Sequence, residues 1–469
     1  MKIANFVALL PLLFVCSCYV GKNYEGTDVF ISDEAVQKNL MLTGNDSLIT
    51  KEWYHIFGDK DLNTLLKNVI HTNLSIQQAK ERLNQSRIQY EIESKQDLPM
   101  INANGSYNYN KTHTQNALAT DTNAFKIGFD AAWEIDIWGR GKYLSKQYYE
   151  LMKAAEYSLH NIQVIVTSEI AKNYIILRTA QEKLRITRRN LLLQKNILQI
   201  IKDQHKSGVV DDLALNQAEY TVEQTEALLP PLLIDIEQAK NSLAILLGTT
   251  PKNIPINLDI YKKNIVSTPF KYSVKNLYNL PLDVIRTRPD IMMTEAKIRS
   301  QHEVINQAIA QLYPTVNLSA VFGYISYSGK SLISSQKQNY GYVPGLTTPI
   351  WHWNQLTNNV KLQEHVKNEA VLNYNEVMLT ALTELKNAIS TVEYSYNTNK
   401  HKKNSLEKIQ NIMVLTQEKY KNGLVDFTDV ATAEQNLLLA QTDYAESNAQ
   451  ILQSLISFYK ATGGGYHFK

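Results

Sequence analysis

A mixed, mainly α fold is predicted, built twice over: each half joins a pair of β-strands to a hairpin of very long α-helices. Three observations predict it. The chain repeats itself, two long stretches carry no helix breaker, and two other stretches alternate apolar with polar residues.

Offset by about 215 positions, the chain aligns with its own second half without a gap, the mark of an internal repeat. Ile76 meets Ile291, Pro99 meets Pro314, Asn102 meets Asn317 and Tyr109 meets Tyr324. Further on, Leu191 meets Leu406, and Gly208-x-Val210-Asp211 meets Gly423-x-Val425-Asp426. Ala218-Glu219 then meets Ala433-Glu434, and Gly248 meets Gly463. Whatever one half does, the other repeats around a pseudo-symmetry axis.

Neither Gly nor Pro occurs between Lys142 and Ser207, or between Trp351 and Asn422. A helix filling either stretch would extend about 100 Å at 1.5 Å per residue. Ile170, Leu177, Leu184, Leu191 and Leu198 recur every seven residues, and their shifted partners are Leu385, Val392, Asn399, Leu406 and Met413. Such spacing keeps one seam against a neighbouring helix; Asn399 breaks the second seam. A large soluble helical bundle would show the same pattern, so the helices alone do not decide function. Each run ends at a Gly followed by an Asp-containing turn, Gly208–Asp212 and Gly423–Asp429. Glycine closes a helix and aspartate starts the next. Returning helices are expected at about 212–247 and 427–461, the first kinked at Pro230-Pro231.

The stretches before the helices have period two. Ile101, Ala103, Gly105, Tyr107 and Tyr109 alternate with Asn102, Asn104, Ser106, Asn108 and Asn110. Phe125, Ile127, Phe129, Ala131 and Trp133 alternate with Lys126, Gly128, Asp130, Ala132 and Glu134. The second half offers Val316, Leu318, Ala320, Phe322 and Tyr324, then Tyr340, Tyr342, Leu346 and Ile350. A soluble hairpin packed on a core would explain one such pair. Aromatics on one face and charged or amide side chains on the other, at a length of about 9–12 residues, point to tilted strands with lipid outside and water inside. Lys126, Asp130 and Glu134 would then face the lumen. Four strands cannot close a barrel, and an open edge in lipid is prohibitively costly. The chain must therefore assemble; a homotrimer gives about twelve strands, although a dimer would also close.

Residues 1–17 read as an export signal, with Lys2 before an apolar stretch too short to span a membrane. Val15-Cys16-Ser17-Cys18 resembles a bacterial lipoprotein signal, with Cys18 the acylated residue; an ordinary secretory signal is the alternative. Both cysteines lie here, so no disulfide is expected in the mature chain. A net charge of +3 gives no footprint for nucleic acid. A mean hydropathy of −0.29 excludes a polytopic helical membrane protein. Scattered histidines leave no expected metal site, and no phosphate loop, dinucleotide fingerprint or zinc cluster suggests an enzyme or a cofactor. Trp53, Trp133, Trp138 and Trp351 read as packing or interface anchors.

Several segments in order carry a family resemblance along nearly the full length. They are Val20-Gly21-Lys22-Asn23-Tyr24 after Cys18, Trp53 to Phe57 with Gly58-Asp59 and Leu62, and Trp133-Glu134-Ile135-Asp136 with Trp138-Gly139-Arg140. Arg288-Pro289-Asp290-Ile291 and Tyr459 to Gly465 complete the set. The chain resembles the TolC-type outer membrane factors, lipoprotein branch, the outer-membrane channels of tripartite efflux systems. The resemblance implies a homotrimer whose twelve-stranded barrel sits in the outer membrane on a periplasmic tunnel of long helices. Outer membrane lipid, a periplasmic adaptor and an inner-membrane pump would be its partners, and the pump would choose the cargo. It implies no chemistry and no cofactor.

The resemblance divides the chain into a signal peptide at 1–17 and a lipid-anchored segment at 18–60. A first repeat at 61–255 holds strands at about 100–135 and a hairpin at about 140–248. A second at 256–465 holds strands at about 315–350 and a hairpin at about 354–461, and 466–469 is a tail. It also places a gate of acidic rings at the helix-to-helix turns. Asp429 matches the family's first turn aspartate, Thr432 replaces the second, and Asp426, Asp211 and Asp212 are candidates for another ring. Carboxylates around an axis concentrate cations. As plain N-caps each would contribute about 1 kcal/mol; for Asp211 and Asp426 the cap is preferred, and for Asp429 the two readings are even. A lipid-anchored coiled-coil scaffold that never spans the membrane would share the helices and Cys18 but leave both strand pairs soluble.

Overall fold

A computed structural model describes residues 20–26, 52–114, 117–259, 265–267, 284–327 and 338–465. The signal segment, Cys18 and the tail at 466–469 lie outside the described residues. The chain divides into two compact units. One comprises Met1–Asp28, Arg82–Glu156 and Met293–Tyr374; the other comprises Val29–Glu81, Tyr157–Met292 and Asn375–Lys469.

The first unit holds one antiparallel sheet of β1 (Met100–Thr114), β2 (Ala117–Ile135), β3 (Thr315–Ser326) and β4 (Gln338–Thr347), in that order. Its register explains the alternation in the sequence. Ile101 pairs with Ala131, Tyr107 with Phe125, Phe129 with Phe322, Trp133 with Leu318, and Phe322 with Tyr340. Directly paired residues share a face, so the apolar rows of neighbouring strands stack over most of the sheet, Tyr109 opposite Asn123 and Phe125 opposite Ser326 being exceptions. At Gly128 and Gly323, which pair with each other, a Cβ on either would lie within 2.7 Å of the other's Cα. Only glycine permits that approach. Trp133 and Trp138 anchor the strand ends by donating their indole N–H to the carbonyls of Asp97 and Pro314 at 2.7 and 2.6 Å.

A short segment at 20–26 docks in this unit against α3 (Arg140–Lys206), α6 (Pro289–Ala310) and α7 (Trp353–Lys421). The Gly21 N–H donates to the Tyr143 hydroxyl at 2.9 Å and that of Lys22 to Asn306 Oδ1 at 2.9 Å. His302 Nε2 donates to the Lys22 carbonyl at 2.8 Å, and Tyr24 meets the His302 ring edge-on.

In the second unit, α3 and α7 carry the heptad seams, and Ile170, Leu177, Leu385 and Val392 are fully buried. Asn399 breaks its seam for a reason: its amide donates to Ser447 Oγ and Asn448 Oδ1 at 2.8 and 2.7 Å, and Asn448 donates to the Val266 carbonyl. A buried polar group so satisfied costs little. Helix α1 (Lys60–Thr72) starts at Asp59, which caps Asp61 and Leu62 and accepts from the Tyr174 hydroxyl at 2.9 Å. Helix α2 (Leu74–Glu93) follows. The returning arm of the first hairpin is interrupted between α4 (Asp212–Glu226) and α5 (Leu229–Leu246), where Ala227 and Leu228 keep helical dihedrals, so the arm kinks just ahead of Pro230-Pro231. The prolines fall in the first turn of α5, where their missing N–H groups have no ladder partner to lose. The second hairpin returns in one piece as α8 (Phe427–Ala461).

Candidate functional site

Two places carry the candidate residues. On the sheet, Lys126, Asp130 and Glu134 project from the face opposite the aromatics, with Asn102 and Asn104 beside them in register. Lys126 is exposed. Asp130 accepts from Asn102 at 3.3 Å, and Glu134 lies 3.3 Å from Arg140. The other face is apolar and uncovered: Phe129, Phe322, Tyr342 and Leu346 are all more than half exposed, Leu346 at 72%. A contiguous apolar face of that extent needs a non-aqueous neighbour. Trp351 is 93% exposed.

The turns are built alike. Gly208 and Gly423 have φ of 71° and 68°, the left-handed conformation that closes a helix without a Cβ penalty. Val209 N–H donates to the Gln204 carbonyl and Leu424 N–H to the Lys419 carbonyl, both at 2.9 Å. One apolar core of Ile201, Ala218, Met413, Phe427, Val430 and Ala433 holds both turns, so the four aspartates are placed by common packing. Asp211 caps α4, accepting from Ala214 N–H at 3.0 Å. Asp212 is exposed and lies 2.7 Å from His205 Nε2. Asp426 makes no side-chain cap, contrary to expectation; its backbone carbonyl takes the Asp429 N–H at 3.1 Å, the donor its side chain would have served. Asp429 is exposed on the first turn of α8.

The two hairpins differ in what stitches them. In the first, Lys202 pairs with Glu219 at 3.0 Å, Lys195 with Glu226, and His205 with Asp212. Their repeat partners are Gln417 and Glu434, Gln410 and Gln441, and Tyr420 and Phe427. The last two rings meet edge-on at 5.9 Å. Glu434 thus keeps its carboxylate, but the position that matches Lys202 is a glutamine, Gln417. Burial alone raises it to about 7. The sequence marked Glu434 only as a repeat landmark; comparing Lys202 with Gln417 would have singled it out.

Another site absent from the candidate list is Arg288. Its guanidinium is buried and donates to Asp290 at 2.7 Å, Glu384 at 2.8 Å and the Ala461 carbonyl at 3.0 Å. These charge-assisted bonds raise its pKa against the opposing effect of burial. Among the described residues no helix is long and apolar enough to cross a membrane, and no cluster of His, Cys, Asp or Glu could hold a metal.

A sheet with one lipid-ready face, joined twice to very long helical hairpins, defines an export channel of the outer membrane. Comparison with known proteins gives the same class. The family model described as "Outer membrane efflux protein" matches residues 65–249 and again 280–464. The chain belongs to this family, a family of channels and not of enzymes, and the two matches are its two repeats. It is 23% identical to the cation efflux system protein CusC of Escherichia coli K12 over 97% of this chain and 99% of that one. It is also 23% identical to the probable outer membrane lipoprotein SilC of Salmonella typhimurium over 92% of each. The crystal structure of the Campylobacter jejuni CmeC outer membrane channel shares the fold, with a TM-score of 0.84 at 23% identity over 96% and 95% of the chains.

Proposed function

We propose that three copies of this chain close a twelve-stranded barrel and form a passive conduit, fed by a periplasmic adaptor and an inner-membrane pump. The observation that carries the proposal is the sheet itself. Its strands run β1-β2-β3-β4 in a row, so β1 and β4 each keep one edge without a partner among the described residues. Open edges are not tolerated in lipid, and neighbouring copies supply the missing partners. The soluble scaffold has no use for such a sheet. Lys126, Asp130 and Glu134 line the conduit and set its field. Cys18 carries the lipid anchor, and the segment at 20–26 ties it to the strand-bearing unit.

The resting conduit closes at the helix turns, with Asp429 and Asp426 as the acidic ring; Asp211 acts as a cap and Asp212 as a partner to His205. Four exposed carboxylates on one small core support this reading, since like charges gathered there concentrate cations. Single-channel recording of the purified protein in planar bilayers is the test. Wild type should show small, cation-selective conductance, and Asp429→Ala should enlarge it several-fold and lower the selectivity. Unaltered conductance reduces Asp429 to a helix-start residue, and no conductance from any variant removes the channel reading.

A further inference from the structure

The buried face of α8 carries Phe427, Val430, Ala433, Glu434 and Leu438, a single stripe at helical spacing. Glu434 therefore occupies a core position, 7% exposed. Burial is the only influence found on its carboxyl, with no charge or hydrogen bond contributing. Its repeat counterpart Glu219 is half-exposed and held by Lys202. An isolated carboxylate in such a place is costly, whereas the neutral acid is tolerated.

We propose that Glu434 is a proton-operated latch: protonated, it lies in the apolar stripe and holds the second hairpin against the first; ionised, it must reach water, and the second hairpin loosens there. The latch acts on the channel only if the turns are its closing end, so its effect on conductance rests on the reading above.

No neighbouring charge relieves Glu434. The antiparallel pairs Lys402–Asp443 and Tyr420–Phe427 set the α7–α8 register, which brings Met413 level with Glu434. Between Ile409 and Gln417, α7 carries no charged residue. On α3 the cations at this level, Lys195 and Lys202, are engaged by Glu226 and Glu219 of α4. The remaining acid on that turn of α4, Glu223, is exposed. On α8 itself no other charge lies between Val430 and Thr442.

The sign follows from linkage. The packed state holds its proton up to about pH 7, and the loosened state returns toward 4.5, the ordinary value. Rising pH between these values therefore favours loosening, by about tenfold or more from pH 5.5 to 8.

The test is amide hydrogen exchange on the full-length assembly in detergent, read over 427–440 at pH 5.5 and 8 and corrected for intrinsic chemical exchange. Wild type should lose about tenfold protection at pH 8. Glu434→Gln should stay protected at both values. Gln417→Lys rebuilds the first repeat's ion pair and should restore protection at pH 8, and it should do so only when Glu434 is present. Equal pH responses in wild type and both single variants overturn the latch. A response lost in both variants, with wild-type conductance that does not follow pH, leaves the latch standing and removes instead the reading of the turns as the closing end.

Discussion

At the scale of single residues, the family landmarks become contacts. Arg288 opens the second repeat in sequence, but its partners Glu384 and the Ala461 carbonyl lie far along the chain. Trp53, near the start, stacks on Tyr459, near the end, with centroids 5.3 Å apart. The residue types were legible in the sequence as a spaced set. Their pairing was not, because local pattern carries no information about which distant segments meet. Asn399 shows the same thing: its break in the heptad was visible, its network with Ser447 and Asn448 was not. The buried guanidinium supports one prediction. Arg288→Ala leaves Asp290 and the Ala461 carbonyl without their donor, a loss of about 2–4 kcal/mol after allowing for the exposure of Glu384. Thermal denaturation of the detergent-solubilised protein should show it as a clear drop in midpoint. Arg288→Lys keeps the charge but not the three-way fork and should recover less than half of that drop. Equal midpoints for all three proteins would make Arg288 a bystander.

At the scale of elements, periodicity told faces apart and glycine told where helices end. Period two separated the aromatic face of β1 and β2 from Lys126, Asp130 and Glu134; on β3 and β4 the separation is weaker, since Val321 pairs with Asp130, Ile325 with Lys126, and Val343 lies on the same face. The β2–β3 pairing itself was not legible, since it joins the two repeats across some 190 residues of chain. The interruption between α4 and α5 lies just ahead of the prolines: proline spoils the ladder behind it, so regular helix stops at Glu226 and restarts at Leu229. Two glycines separate backbone freedom from close approach. At Gly208 an added Cβ meets nothing within 4 Å, so Gly208→Ala should cost only the left-handed backbone, about 1 kcal/mol. At Gly128 it would lie 2.5 Å from the Phe322 carbonyl oxygen and 2.7 Å from Gly323 Cα, both backbone atoms of β3. Gly128→Ala must push β2 off β3, and heat-modifiable migration on semi-native gels should be lost. Full retention of that migration would show that the strands can part there without harm.

At the scale of the whole molecule, duplication leaves one chain with two hairpins of like design and unlike chemistry. Near the turns the first is stitched by Lys195, Lys202 and His205 with their acids; over the same stretch the second has neutral side chains, an aromatic contact and Glu434, and its Lys402–Asp443 ion pair lies farther from the turn. Copies free to diverge can keep one arm fixed and make the other responsive, and both still share the core at the turns.

The same logic of two unlike faces governs membrane insertion. Phe129 and Lys126 lie three residues apart on β2, the first on the uncovered apolar face and the second on the face with Asp130 and Glu134. A lysine among lipid chains costs about 2–4 kcal/mol near the bilayer centre, whereas a substitution toward the lumen changes selectivity more than stability. Phe129→Lys should therefore deplete the heat-modifiable assembled species in outer-membrane fractions. Lys126→Phe should leave it intact and alter ion selectivity in bilayer recordings. The reverse result, with Phe129→Lys assembling normally and Lys126→Phe lost from the membrane, would mean that lipid and water lie on the opposite sides of the sheet.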